Sequence, residues 1–252
     1  MANILMLHGN GGGKTRFLPF LKLVAGDTTH HFVVPALSGF DGRPLPAADN
    51  YWDTFLSDLE KALGDEEIWI VYGHGIGGSL VMEWAARDFV LPSGRRLQPQ
   101  KILLHSVIGA SLHVRFFPKL MKPMGIRRMM QRLIVAPFMR SIWKRRLFLQ
   151  PEHIEPEILN RFFEDYAQCA AFPIFFDLIT VDWYREVREK INQLPFQFVW
   201  GGKERVVQAK HLGLWKTDFP QSTFSVVEDW DHFPMLDDPM DFQEKFLNFI
   251  QG

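Results

Sequence analysis

Cysteine is almost missing from this 252-residue chain. Cys169 stands alone, so no intrachain disulfide can form, and a reducing, cytoplasmic setting is expected. Long apolar runs are missing as well. No stretch reaches the roughly 18 residues that a membrane helix needs, and the opening Met1-Ala2-Asn3-Ile4 has no basic lead of a secretion signal. Acidic residues are missing where basic ones crowd: none occurs between Asp88 and Glu152. Inside that gap, Ser111 to Gln150 carries ten basic residues, from Arg115 and Lys119 to Arg145 and Arg146. This stretch is +10 and the remainder −11, which together hide in a net charge of −1. So sharp a shift marks a separate structural unit. The acidic remainder would repel nucleic acid, so no nucleic-acid partner is expected. Hydrophobic residues, at 47%, exclude general disorder.

Short apolar runs read as strands at Ile4–Leu7, Phe32–Leu37, Ile68–Tyr72, Ile102–Leu104, Phe196–Trp200 and Thr223–Val227. Helical spacing separates them. Phe17, Phe20, Leu21 and Val24 form one face, and the residues from Tyr51 to Leu63 form another, with Gly64 placed to end it. Leu80, Val81, Trp84 and Ala85 continue the pattern. A last helix starts from Asp238 as cap and Pro239, with Phe242, Phe246 and Phe249 on one side. Strand–helix alternation predicts an α/β fold with a mostly parallel sheet of about six strands. It breaks only in a stretch with helical patterns and no convincing strand. The chain therefore divides into a core, 1–110 and 191–252, and a helical, basic insertion, 111–190.

Three mechanisms compete for the glycine-rich loops at the strand ends. His8-Gly-Asn-Gly-Gly-Gly-Lys14-Thr15 nearly matches a phosphate-binding loop, but His8 replaces its first glycine and no strand clearly ends in a magnesium-binding Asp. Gly73-His-Gly75-Ile-Gly-Gly78 fits a dinucleotide fingerprint, but the acid due about 20 residues later is absent. No cofactor is expected. The third reading is a sharp strand-to-helix elbow of the kind that presents a nucleophile.

Taken in order, these loops resemble the α/β-hydrolase superfamily over nearly the whole chain. His8-Gly9-Asn10-Gly11 is similar to its oxyanion loop, Pro35 to Arg43 to the loop after the next strand, and Gly73 to Gly78 to its nucleophile elbow. Trp200-Gly-Gly-Lys-Glu204-Arg-Val-Val207 resembles the loop of the acid, and Asp231-His232 to Pro239 that of the histidine. The order nucleophile, acid, histidine is the family's. The resemblance implies an α/β-hydrolase fold lacking the first two family strands, with the insertion in the place of the family's cap. It implies a His232–Glu204 pair, and an oxyanion hole from the backbone N–H groups of Asn10 and Ile76.

The sequence departs from that family at one decisive position. The elbow residue is Gly75, which has no side chain to form a covalent intermediate. Glycine accepts the strained elbow backbone that costs another residue about 1–3 kcal/mol. Ser79 should point away from the elbow. Ser106, after the next strand, is the other nearby hydroxyl and reads as a solvated or capping serine. His8 and His74 match family histidines that are usually structural; with His105 they show no ligand spacing, so no metal is expected.

In the insertion, Ile126, Met129, Met130, Leu133 and Ile134 share one helical face; Phe138, Met139, Ile142, Trp143 and Leu147 share another. Met129, Met130, Phe138 and Trp143 are the expected substrate-binding residues. Plain packing of a cap over the core is the favoured reading of these helices. Docking on an anionic membrane surface, or receipt of an anionic substrate, are the alternatives. Three functions share the fold. One is an enzyme, a hydrolase or a base-catalysed lyase or isomerase, acting on a small-to-medium apolar or acyl-type ligand through His232 as general base. The second is a non-catalytic protein that binds such a ligand or a partner. The third is a serine hydrolase inactivated by serine-to-glycine replacement at position 75.

Overall fold

The structure is a computed structural model that describes residues 2–65 and 70–251. Six strands, β1 (Ala2–Leu7), β2 (His30–Val33), β3 (Ile70–His74), β4 (Lys101–His105), β5 (Gln197–Gly201) and β6 (Thr223–Val227), form one sheet. Its order is β2-β1-β3-β4-β5-β6 and every pairing is parallel, as the alternation of strands and helices requires. The start of the expected third strand, Ile68 and Trp69, lies outside the described residues. β2 departs from the expected Phe32–Leu37: it starts and stops earlier. Pro35 has no N–H for a ladder, and β2 pairs on one side alone.

Twelve α-helices are described. They are α1 (Leu18–Leu23), α2 (Tyr51–Leu63), α3 (Ile76–Ala85), α4 (Phe116–Leu120), α5 (Met124–Val135), α6 (Arg140–Leu147), α7 (Pro156–Gln168), α8 (Phe175–Leu178), α9 (Val181–Ile191), α10 (Leu212–Asp218), α11 (Pro234–Asp237) and α12 (Pro239–Gln251). Local chemistry sets several ends. Asn50 Oδ1 accepts from the Trp52 N–H at 3.0 Å to start α2, and Asp238 Oδ1 accepts from the Asp241 N–H at 3.0 Å to start α12. Among the described residues no helix is long and apolar enough to cross a membrane.

Helices cover both faces of the sheet, which is why β1, β3 and β4 read as continuous apolar runs. On one face α1 meets α12: Phe20 packs edge-on against Phe242 at 5.3 Å and Phe246 at 5.5 Å, and Tyr72 of β3 meets Phe246 at 5.3 Å. Each of these phenylalanines is buried, which contributes roughly 1.5–3 kcal/mol apiece. On the other face lie α2, α3, α9 and α10. Trp183 of α9 stacks on Trp52 of α2 at 5.5 Å, and its Nε1 donates to Glu83 of α3 at 2.7 Å. The segment 111–190 is helical throughout its regular elements. Its last helix, α9, nevertheless packs in this flanking layer, and Phe175 of α8 stacks on Phe55 of α2 at 5.1 Å, which leaves α4–α7 to stand apart from it.

Parallel pairing brings all the carboxyl ends to one edge. Leu7 lies beside Gly73, His74 beside His105, and Gly201 beside Val227. The loops after β1, β3, β4, β5 and β6 therefore meet there. The order reverses at β1, flanked by β2 and β3, which opens a crevice where the β1 and β3 loops diverge.

Candidate active site

The turn from β3 into α3 is the tightest part of the site. Gly75 holds φ 55° and ψ −119°, left-handed backbone in which a side chain is strained. Its N–H donates to the His105 carbonyl at 2.9 Å, which fixes the turn to the next strand. A Cβ at Gly77 would lie 2.5 Å from the Leu7 carbonyl oxygen, so only glycine lets α3 start this close to β1. At Gly75 itself there is room: a Cβ would meet only the Gly9 Cα, at 3.6 Å. Backbone strain, and not crowding, is what glycine relieves at 75. Ile76 opens α3, so its N–H belongs to the unsatisfied first turn of a helix.

The β1 loop faces this turn. Gly12 N–H bonds back to the Gly9 carbonyl at 3.1 Å, and Asn10 accepts on Oδ1 from the Gly11 N–H at 3.0 Å while its Nδ2 donates to the Phe172 carbonyl at 3.3 Å. From beneath, the fully buried Arg16 donates to the Gly11 carbonyl at 2.7 Å and lies 3.6 Å over the Phe162 ring. Its charge is thus held by a carbonyl and a π-face, with Asp165 at 4.0 Å.

Across the crevice, Glu204 is buried and saturated. Oε1 accepts from the N–H groups of Val206 at 2.7 Å and Val207 at 2.9 Å. Oε2 accepts from Ser106 Oγ at 2.7 Å and lies 2.8 Å from His232 Nδ1. Burial alone would raise the pKa of this carboxyl. The charge and hydrogen bond of His232, with the bonds from Ser106 and Val207, win and hold it at about 2. An ionised carboxylate only accepts, so Nδ1 carries the proton in this contact and Nε2 is the ring nitrogen that Glu204 leaves free. The backbone of His232 is held as well: Asp231 Oδ1 accepts from its N–H at 2.8 Å, and its carbonyl lies 2.8 Å from His74 Nε2.

The three other strand-end histidines are fully buried and serve neighbours. Tyr72 Oη lies 2.7 Å from His105 Nδ1, and His8 Nδ1 lies 3.1 Å from the Gly9 carbonyl. Burial pushes His8 down to about 4 and His105 down to about 3, and with the nearby His232 and His105 it drives His74 well below the ordinary range. Ser79 is buried and donates to the Ile108 carbonyl at 3.1 Å, away from the elbow as expected. Ser106 departs from expectation: it is neither solvated nor a helix cap, but fully buried against Glu204.

Gly75, Ile76, Asn10 and His232 all line one cavity of about 460 Å³. Of the four insertion residues expected there, Met130 and Trp143 line it, whereas Met129 and Phe138 do not and are 49% and 75% exposed. On α5, Met130 and Ile134 are one turn apart and face inward, and Met129 is rotated about 100° away from them. Phe138 sits in the short 3₁₀ turn before α6, outside either helical face. The lining also includes residues that sequence reasoning missed: Tyr166, Phe172, Phe175 and Phe176 around α7 and α8, and Arg115 and Arg205. Phe172 and its neighbours belong to no long amphipathic helix, so periodicity had no signal for them.

An elbow, a facing N–H loop and an oriented His–Glu pair around one cavity agree with the comparisons to known proteins. Residues 4–244 match the model of the alpha/beta hydrolase family. The chain belongs to that family. This hydrolase-fold chain is similar to an uncharacterized protein of Mycobacterium tuberculosis, 27% identical over 97% of this chain and 75% of that protein. Lipase 1 of Psychrobacter immobilis is 23% identical over 99% of this chain and 78% of its own length. Among solved structures, an esterase from Thermogutta terrifontis superposes with a TM-score of 0.69 at 16% identity, covering 100% of this chain and 90% of that one.

Proposed function

We propose that this alpha/beta hydrolase hydrolyses apolar acyl esters by direct attack of water, without an acyl-enzyme. The observation that carries the reading is His232, oriented by Glu204 at 2.8 Å and lining the same cavity as Gly75. Over Gly75, the space that a nucleophile's side chain would fill is open to a water. His232 Nε2 takes a proton from that water as its oxygen bonds to the carbonyl carbon. The backbone N–H groups of Asn10 and Ile76 stabilise the oxyanion. Collapse expels the alkoxide, which takes the proton from His232, leaving acid and alcohol. Helices α4–α8 form the cap, with Met130 and Trp143 against the acyl group. The glycine at 75 stands where an ancestor carried serine, so no acyl-enzyme forms. The names lipase and esterase among its relatives support this substrate class.

Short- and medium-chain p-nitrophenyl esters test the reaction. Turnover without a burst is expected, with His232→Gln slower by about a hundredfold or more. Turnover unchanged in His232→Gln would overturn it. Gly75 itself favours a second reading, a binding protein for the same ligands; tight binding of fatty acids without any turnover would establish that reading instead.

A further inference from the structure

Among the described residues twelve large hydrophobic side chains are exposed, and eight of them lie between Val114 and Ile142. Phe116 and Phe138, each 75% exposed, and Ile142, 57% exposed, are the most prominent of the eight. A stretch of under 30 residues thus holds most of these exposed side chains. Those residues are interleaved with the ten basic ones. Among the described residues, Arg127 is the only one of the ten with a carboxylate partner, Asp177. Lys119, Lys122, Arg128, Arg132 and Arg145 are exposed with no acid between Asp88 and Glu152 to balance them.

The same helices carry the rim of the cavity. Phe117 of α4 and Arg146 of α6 are both exposed and both line it. Arg146 donates to the Arg205 carbonyl, a neutral acceptor that leaves its charge free for an anion.

We infer that α4–α6 dock on an anionic lipid bilayer and that the cavity mouth opens on that docked face. Aromatic and aliphatic side chains reach the acyl boundary while the lysines and arginines between them meet lipid phosphates. Charge selects this occupant over a second copy of the chain: a symmetric dimer through this face would press two uncompensated basic surfaces together. The inference stands independently of the reaction proposed above, because its test reads binding and no turnover.

The full chain is mixed with vesicles of neutral phosphatidylcholine, alone or with about a third phosphatidylglycerol, and bound protein is separated by sedimentation. Binding to the anionic vesicles is expected to be at least about tenfold tighter, and to weaken at least about tenfold between 0.1 and 0.5 M salt. The double variant Phe116→Asp/Phe138→Asp and the triple variant Lys119→Glu/Lys122→Glu/Arg128→Glu should each lose most of it. Their exposed positions leave folding intact, which circular dichroism checks. Equal binding to neutral vesicles, no binding to either, or binding untouched by both variants would overturn the inference. So would a dimer in sedimentation velocity that the Phe116→Asp/Phe138→Asp variant dissolves.

Discussion

Ser106 and His232 meet on the same carboxylate oxygen. Ser106 Oγ donates to Glu204 Oε2 at 2.7 Å and His232 Nδ1 lies 2.8 Å from it, so the serine sets the acid that sets the histidine. Ser106 also holds φ 46°, a left-handed conformation unusual for a residue with a side chain. Ser106→Ala should cost about 1–3 kcal/mol, because a buried carboxylate loses a donor and alanine keeps the strain. Ser106→Gly should cost less, since glycine accepts the backbone. Urea titration of the two variants checks the order; equal or reversed costs would mean that the backbone there is not strained.

Gly75→Ser tests the elbow from both sides. The open space above Gly75 admits the side chain, so the cost comes from φ alone, about 1–3 kcal/mol. A new hydroxyl beside His232 should raise turnover of a short activated ester by about a hundredfold or more, since a missing triad member usually costs more than that. Burst kinetics should appear with it. A stable variant with no gain would show a site rebuilt for water or for binding.

Acid should destabilise the fold from pH 6.5 downward. His8, His74 and His105 stay neutral when folded, down to about pH 4 for His8 and about pH 3 for His105, while the unfolded chain titrates near 6.5. In that window the unfolded state binds more protons, so stability falls with pH by up to about 1.4 kcal/mol per unit for each histidine. Burial raises Asp165 and Asp237 to about 6, which makes the folded state hold protons between about 3.8 and 6 and offsets part of the loss. His105→Gln, which keeps an acceptor for Tyr72, should flatten the slope by about one proton, and Asp237→Asn should steepen it by about one. Urea midpoints at pH 7, 5.5 and 4.5 decide; an unchanged slope in His105→Gln would refute the buried neutral histidine.

Arg127 ties α5 to the segments around it. It is buried and donates to the carbonyls of Lys122 at 2.7 Å and Pro173 at 3.0 Å, and to Asp177 Oδ1 at 2.6 Å. Arg127→Met should leave those acceptors unpaired and cost about 2–3 kcal/mol. Arg127→Lys should recover less than half, because an ammonium cannot serve the fork. Limited proteolysis should cut first between α4 and α8, with the sheet surviving; uniform cleavage across the chain would disprove a local anchor.

The strands, the elbow and the ends of α2 and α12 were legible in the sequence because they rest on chemistry between near neighbours. Gly75 reads as an elbow from its neighbours Gly73 and Gly77, Gly64 as the end of α2, Asp238 as a cap before Pro239, and the order of the loops places Glu204 and His232 together. The sequence also determined that ten positive charges lie in one stretch without an acid. Tertiary structure decided the rest. Met129 and Met130 are equivalent by composition, and only the docking of α5 turned one inward and left the other in water. Ser106 looked like a solvated serine, and became a buried partner of Glu204 when β4 and β5 paired. Tyr166 and Phe172 reached the cavity through the packing of α7 and the turn after it. Local patterns fix backbone conformation within a few residues, whereas burial and hydrogen-bond partners depend on which distant segments share a volume.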